Sequence, residues 1–115
     1  MHEIKIVDEV SLRQGATTDE GMPIYEKIIS HLVNGESVTL DFGGVELVTT
    51  AFLNVIIGKL YERYNSEELN KSLKFKNLTN GIAMRIKTVA DTAKLYYRNR
   101  DQFDKDVDSV LYGNN

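Results

Sequence analysis

The stretch from Val38 to Leu60, VTLDFGGVELVTTAFLNVIIGKL, constrains the fold most, because it runs from a strand pattern through a glycine pair directly into an apolar helix pattern. Val38, Leu40 and Phe42 alternate with Thr39 and Asp41 as in a half-buried strand. Gly43 and Gly44 then supply the backbone freedom for a tight turn. Thr49 and Thr50 bring hydroxyls to the start of the following helix, where N–H groups lack partners. A Thr there either caps those groups or holds a hydroxyl where a phosphate is electrostatically welcome.

The flanking segments repeat the alternation. His2 to Val7, with Ile4 and Ile6 on one face, reads as a first strand. After a polar loop, Pro23 is placed as a first helical residue. Tyr25, Ile28, Ile29 and Leu32 form the inner stripe of that helix, which Gly35 closes. Ser37 to Phe42 is the second strand and Thr50 to Tyr64 the second helix. Asn65 to Ser72 is a charged connector, and Leu73, Phe75 and Leu78 suggest a third strand. Asn80 and Gly81 open a long helix with Ile82, Ile86, Val89, Ala93 and Tyr96 inward. Phe103, Val107, Val110 and Leu111 continue the spacing after a break expected near Asn99, and the last residues are expected to fray. The order β-α-β-α-β-α-α predicts one α/β domain over residues 1–115 with a mostly parallel sheet.

At LDFGGVELVTTAFLN the chain resembles the phosphoacceptor segment of STAS domains, found in anti-anti-sigma factors and in the cytoplasmic tails of sulfate transporters. It is more similar still to a STAS-like family of unknown function that carries D-F-x-x-V, a short gap, a hydroxyl residue and A-F or S-F. The resemblance runs from about Gly15 to Tyr97 and implies a STAS-like fold. In anti-anti-sigma factors the junction reads Asp-Ser-Ser-Gly, and a partner kinase phosphorylates the second Ser. A gapless register sets Thr49 on the Asp, Thr50 on the first Ser, Ala51 on the acceptor and Phe52 on the Gly, whereas a shift of one residue makes Thr50 the acceptor. The resemblance implies a non-catalytic regulatory module that docks a histidine-kinase-like ATPase or anti-sigma factor. Thr50, or failing that Thr49, is the candidate phosphoacceptor, since a phosphate adds about −1.5 to −2 charges to a docking surface.

Composition narrows the classes. A net charge of −3, from 14 basic and 17 acidic residues, argues against nonspecific nucleic-acid binding. The absence of Cys removes disulfide frameworks and thiolate zinc sites. No apolar run is long enough to cross a bilayer, so no membrane form and a cytoplasmic location are expected. His2 and His31 are too few and too isolated to suggest a metal site, no Ser, His and acid grouping suggests an enzyme, and no cofactor is expected. Gly43-Gly44 lacks the rest of either nucleotide-binding pattern.

Asp8, Glu9, Asp41 and Lys76 superficially match a phosphoreceiver, but the span from Glu9 to Asp41 has room for only one helix and no additional strand. Asp41 is read as accepting from loop N–H groups at the strand end, supporting the site with Gly43 and Gly44. Lys87, Asp91, Lys94 and Arg98 share one helix face and read as a solvated, mutually paired surface. Asn54, Gly58 and Glu62 line the narrow polar stripe of the second helix, where a glycine costs roughly 1 kcal/mol against Ala. Gly58 therefore either admits another helix of the same domain or leaves a partner-docking strip, and these three residues are the candidate partner contacts. The alternative function is a constitutive structural or assembly module, or a domain that binds a small anion at the helix N-terminus without phosphorylation.

Overall fold

A computed structural model describes the backbone of residues 2–112 and the side chains of residues 2–97. Five strands and four helices follow in order: β1 (His2–Lys5), β2 (Gln14–Gly15), α1 (Thr18–Leu32), β3 (Val38–Asp41), β4 (Leu47–Val48), α2 (Thr50–Ile56), α3 (Ser66–Ser72), β5 (Leu73–Lys76) and α4 (Asn80–Tyr112). Two 3-10 segments, Ile6–Asp8 and Gly58–Glu62, interrupt this series. β1, β3 and β5 form one parallel sheet with β3 in the centre, and β2 pairs parallel with β4 in a second, two-stranded one. The mixed α/β, parallel architecture expected from the sequence is therefore present.

All four residues of β3 are buried, Thr39 and Asp41 as well as Val38 and Leu40. This corrects the half-buried expectation, because a central parallel strand is covered on both faces. Ile24 and Ile28 of α1, Phe52, Leu53 and Ile56 of α2, and Ile82, Ile86 and Val89 of α4 complete one continuous core with it.

Several boundaries depart from the sequence reading. β1 stops at Lys5, and Ile6 is buried through a 3-10 turn instead. α1 begins at Thr18, with the Thr17 hydroxyl accepting from the Glu20 N–H at 3.1 Å, so Pro23 lies inside the helix. The hydrogen bond that Pro23 cannot donate is the one to Asp19, an exposed residue whose carbonyl water can serve. The second helix ends at Ile56. Ile57 leaves helical geometry at φ −123° and ψ −54°, and the tighter winding that follows turns Ile57 and Leu60, three residues apart, both inward. The expected connector holds α3, started by a reciprocal cap in which Asn65 Oδ1 accepts from the Glu68 N–H at 2.9 Å and Glu68 Oε1 from the Asn65 N–H at 3.0 Å. α4 continues through Asn99 without the expected break. Phe103, Val107, Val110 and Leu111 fall outside the described side chains, and the expected fraying concerns residues outside the described backbone. Among the described residues no helix is long and apolar enough to cross a membrane.

Candidate functional site

The chain leaves β3 at Asp41, whose Oδ1 accepts from the Gly43 N–H at 2.8 Å and from Asn77 Nδ2 at 2.9 Å. A Cβ at Gly43 would lie 3.0 Å from that oxygen, so glycine is what lets the carboxylate close over the turn. Gly44 follows at φ +78°, the left-handed region that side chains disfavour. Asn77 itself sits at φ +57°, a conformation Asn tolerates better than most residues. Its amide, then the Gly43 N–H, hold the Asp41 carboxyl below its ordinary pKa against the opposing effect of burial. Asp41 is thus the strand-end acceptor that supports the turn.

From that turn the chain passes through β4 to Thr49, which caps α2. The Thr49 hydroxyl accepts from the Phe52 N–H at 3.1 Å and donates to the Ala16 carbonyl at 2.9 Å, while the Thr49 N–H donates to the Gly15 carbonyl at 2.9 Å. Its single proton is engaged with the β2 side of the fold, so phosphorylation there would break both the cap and this tether. Thr50, the first residue of α2, is exposed. With Gly81, Met84, Arg85, Thr88 and Val89 it lines a shallow depression of about 390 Å³ between α2 and the first turns of α4. Met84 is 71% exposed. Met84, Arg85 and Thr88 escaped the sequence reading, and their signal was available in retrospect: they are the outward residues between the inward Ile82, Ile86 and Val89.

The polar stripe is not one surface. Gly58 is buried, and a Cβ there would meet Val89 Cγ1 at 3.4 Å and Ala93 Cβ at 3.8 Å on α4. It opens a 3-10 segment and is not a mid-helix glycine. Of the two explanations offered for it, internal close packing is the one realised, and Gly58 is withdrawn as a partner contact. Asn54 and Glu62 remain exposed on either side of it.

The receiver-like acids and lysine are distributed among other pairs: Glu9 binds Lys27, and Lys76 Nζ reaches Glu3 Oε1 at 3.4 Å. Asp91 pairs with Lys87 at 2.9 Å and Lys94 at 3.8 Å, and the side chain of Arg98 lies outside those described. A larger open cavity of about 790 Å³ lies between the Tyr61–Ser66 stretch and α4, bordered by Tyr61, Tyr64, Asp91, Lys94 and Tyr97. Burial raises the Tyr61 pKa, so that hydroxyl stays protonated over the ordinary pH range. His2 and His31, separated in sequence, stack at a centroid distance of 4.0 Å. The expectation that they are isolated is therefore wrong, and nothing in their spacing could have revealed the contact.

No curated protein and no solved structure matches the chain. A family model described as a STAS-like domain of unknown function matches residues 20–83, which takes in most of α1, β3, the glycine turn, the Thr49-Thr50 helix start and β5. With more than half of its length matched across the elements that build the junction, the chain belongs to the family of STAS-like domains of unknown function.

Proposed function

We propose that this protein is a non-catalytic regulatory module that docks a protein partner on the face formed by the start of α2 and the first turns of α4, with Thr50 as its switch. The observation that carries the reading is the division of labour between adjacent hydroxyls. Thr49 is bonded into the fold, whereas Thr50 is exposed beside Met84, Arg85 and Thr88. A phosphate on Thr50 would change the charge of that face without removing a hydrogen bond the fold uses. The STAS-like membership supports a histidine-kinase-like ATPase or an anti-sigma factor as the partner class. Exposed Met84 suits the apolar part of such an interface, and Arg85 its charged part.

The test incubates the full chain with kinase-superfamily ATPases from the same genome and ATP, maps any phosphate by mass spectrometry, and measures binding of Thr50→Glu and Thr50→Ala. Modification at Thr50 is expected. Thr50→Glu should weaken binding at least tenfold, Thr50→Ala should bind as wild type, and all three should share one thermal midpoint. Equal binding by Thr50→Glu overturns the switch and favours the constitutive assembly module, which uses the same face without modification.

A further inference from the structure

The structure brings together three side chains that no part of the proposed switch employs. His2, at the start of β1, His31, in the last turn of α1, and Glu36, in the turn before β3, meet at one end of the main sheet. Glu36 Oε2 lies 2.9 Å from His2 Nε2, and Glu36 Oε1 lies 3.0 Å from His31 Nδ1. The three ligand atoms all lie within 4.8 Å of one another, and this is the one such grouping among the described residues. We propose that His2, His31 and Glu36 form a binding site for a divalent first-row transition metal of the zinc type.

Donor chemistry comes first. Two imidazoles and a carboxylate suit zinc, cobalt or nickel, whereas calcium and magnesium call for oxygen donors throughout. Geometry is the second support. Ligand atoms around a tetrahedral ion with bonds of roughly 2.0–2.1 Å stand about 3.3 Å apart, and the three here already lie within 4.8 Å of one another, each nitrogen against its own Glu36 oxygen, so the two rings have to close on a single carboxylate oxygen. The stacked rings, with planes 17° apart, have to open so that their lone pairs converge. The side chains are 28–43% exposed and end at solvent, so that movement displaces no core residue. The protons now shared with Glu36 move to the ring nitrogens that face away from it.

Three protein ligands leave a fourth position for water. An ion held there ties the first strand to the end of α1 and to the entry of the central strand. It therefore stabilises the folded chain by an amount that grows with the logarithm of the free ion concentration above Kd.

The sequence makes the test clean, since the chain has two histidines and no cysteine. Metal-free full chain, carrying no added histidines, is titrated with Zn²⁺ and with Mg²⁺ by calorimetry and thermal melting, and with Co²⁺ by visible absorption. One Zn²⁺ per chain, a raised thermal midpoint, a tetrahedral Co²⁺ band and no response to Mg²⁺ are expected. His31→Gln and Glu36→Gln should each weaken Zn²⁺ binding at least tenfold while keeping the circular dichroism of the wild type. The site is overturned by no saturable Zn²⁺ binding with a Kd below about 100 μM, by unchanged affinity in either variant, or by one ion per two chains.

Discussion

The two sides of α2 obey different rules. On its inner side Phe52, Val55 and Ile56 interlock with backbone from the β2–α1 region: a Cβ on Gly15 would lie 2.5 Å from the Phe52 ring, and one on Gly21 would lie 3.2 Å from Val55 Cβ. On its outer side Thr50 opens onto a depression whose other residues come from α4 and whose Met84 and Arg85 are exposed. The contrast shows how a helix of seven residues serves both fold and surface. Glycines let Phe52 and Val55 come close to the β2–α1 backbone, while the Thr50 side stays exposed beside α4.

The strongest challenge to this contrast is Gly15→Ala. Its new methyl has to displace a fully buried ring at a distance no real Cβ tolerates, and overpacking of this kind costs about 1–3 kcal/mol or more. Urea unfolding with a loss under about 0.5 kcal/mol would show that the inner face is not interlocked. Gly58→Arg extends the test to the other end of the segment. With Val89 and Ala93 closing on that position, a loss of roughly 1–3 kcal/mol is expected. An unchanged thermal midpoint would return Gly58 to the surface.

A finer comparison uses the adjacent hydroxyls. Thr49→Val removes the cap and the bond to the Ala16 carbonyl and should cost about 1–2 kcal/mol, whereas Thr50→Val should stay within about 0.5 kcal/mol. Equal losses in urea midpoint would erase the distinction on which the switch rests.

The smallest effect concerns Asp41. Its carboxyl titrates below the ordinary value of 3.8 in the folded chain, so its contribution is present above that pH and is lost as pH falls through the depressed folded value. The difference in thermal midpoint between wild type and Asp41→Asn should therefore be constant near neutrality and close below about pH 4. A gap that persists unchanged into stronger acid would mean that the Gly43 and Asn77 contacts do not depend on charge.

Legibility in the sequence followed length and periodicity. β3 and α4 announce themselves through sustained apolar spacing, and the Val38–Leu60 junction through its glycines. β2 and β4, at two residues each, are too short for any alternation to show. The starts of α1 and α3 are marked by caps and not by apolar stripes: Thr17 with Glu20, and Asn65 with Glu68, carry the S/T/N-x-x-E spacing. A helical wheel puts Gly58 on the polar stripe, but the chain abandons that wheel at Ile57 and Gly58 turns inward. Thr50 was legible as a hydroxyl at a helix start, yet its neighbours Met84 and Arg85 come from a helix some thirty residues later and depend on tertiary packing.

The central position of β3 also bears on how the chain finds its fold. β1 and β5 each hydrogen-bond to β3 and not to one another, with Ile4 opposite Leu40 and Phe75 opposite the same residue on the other side. Neither outer strand has a template until the middle of the chain has arrived, and both pairings close loops of more than thirty residues. Loop closure of that length is entropically costly before any contact rewards it. The rate-determining ensemble is thus expected to be organised around α1, β3 and α2. β1, which precedes β3 in the chain, pairs only once β3 is in place.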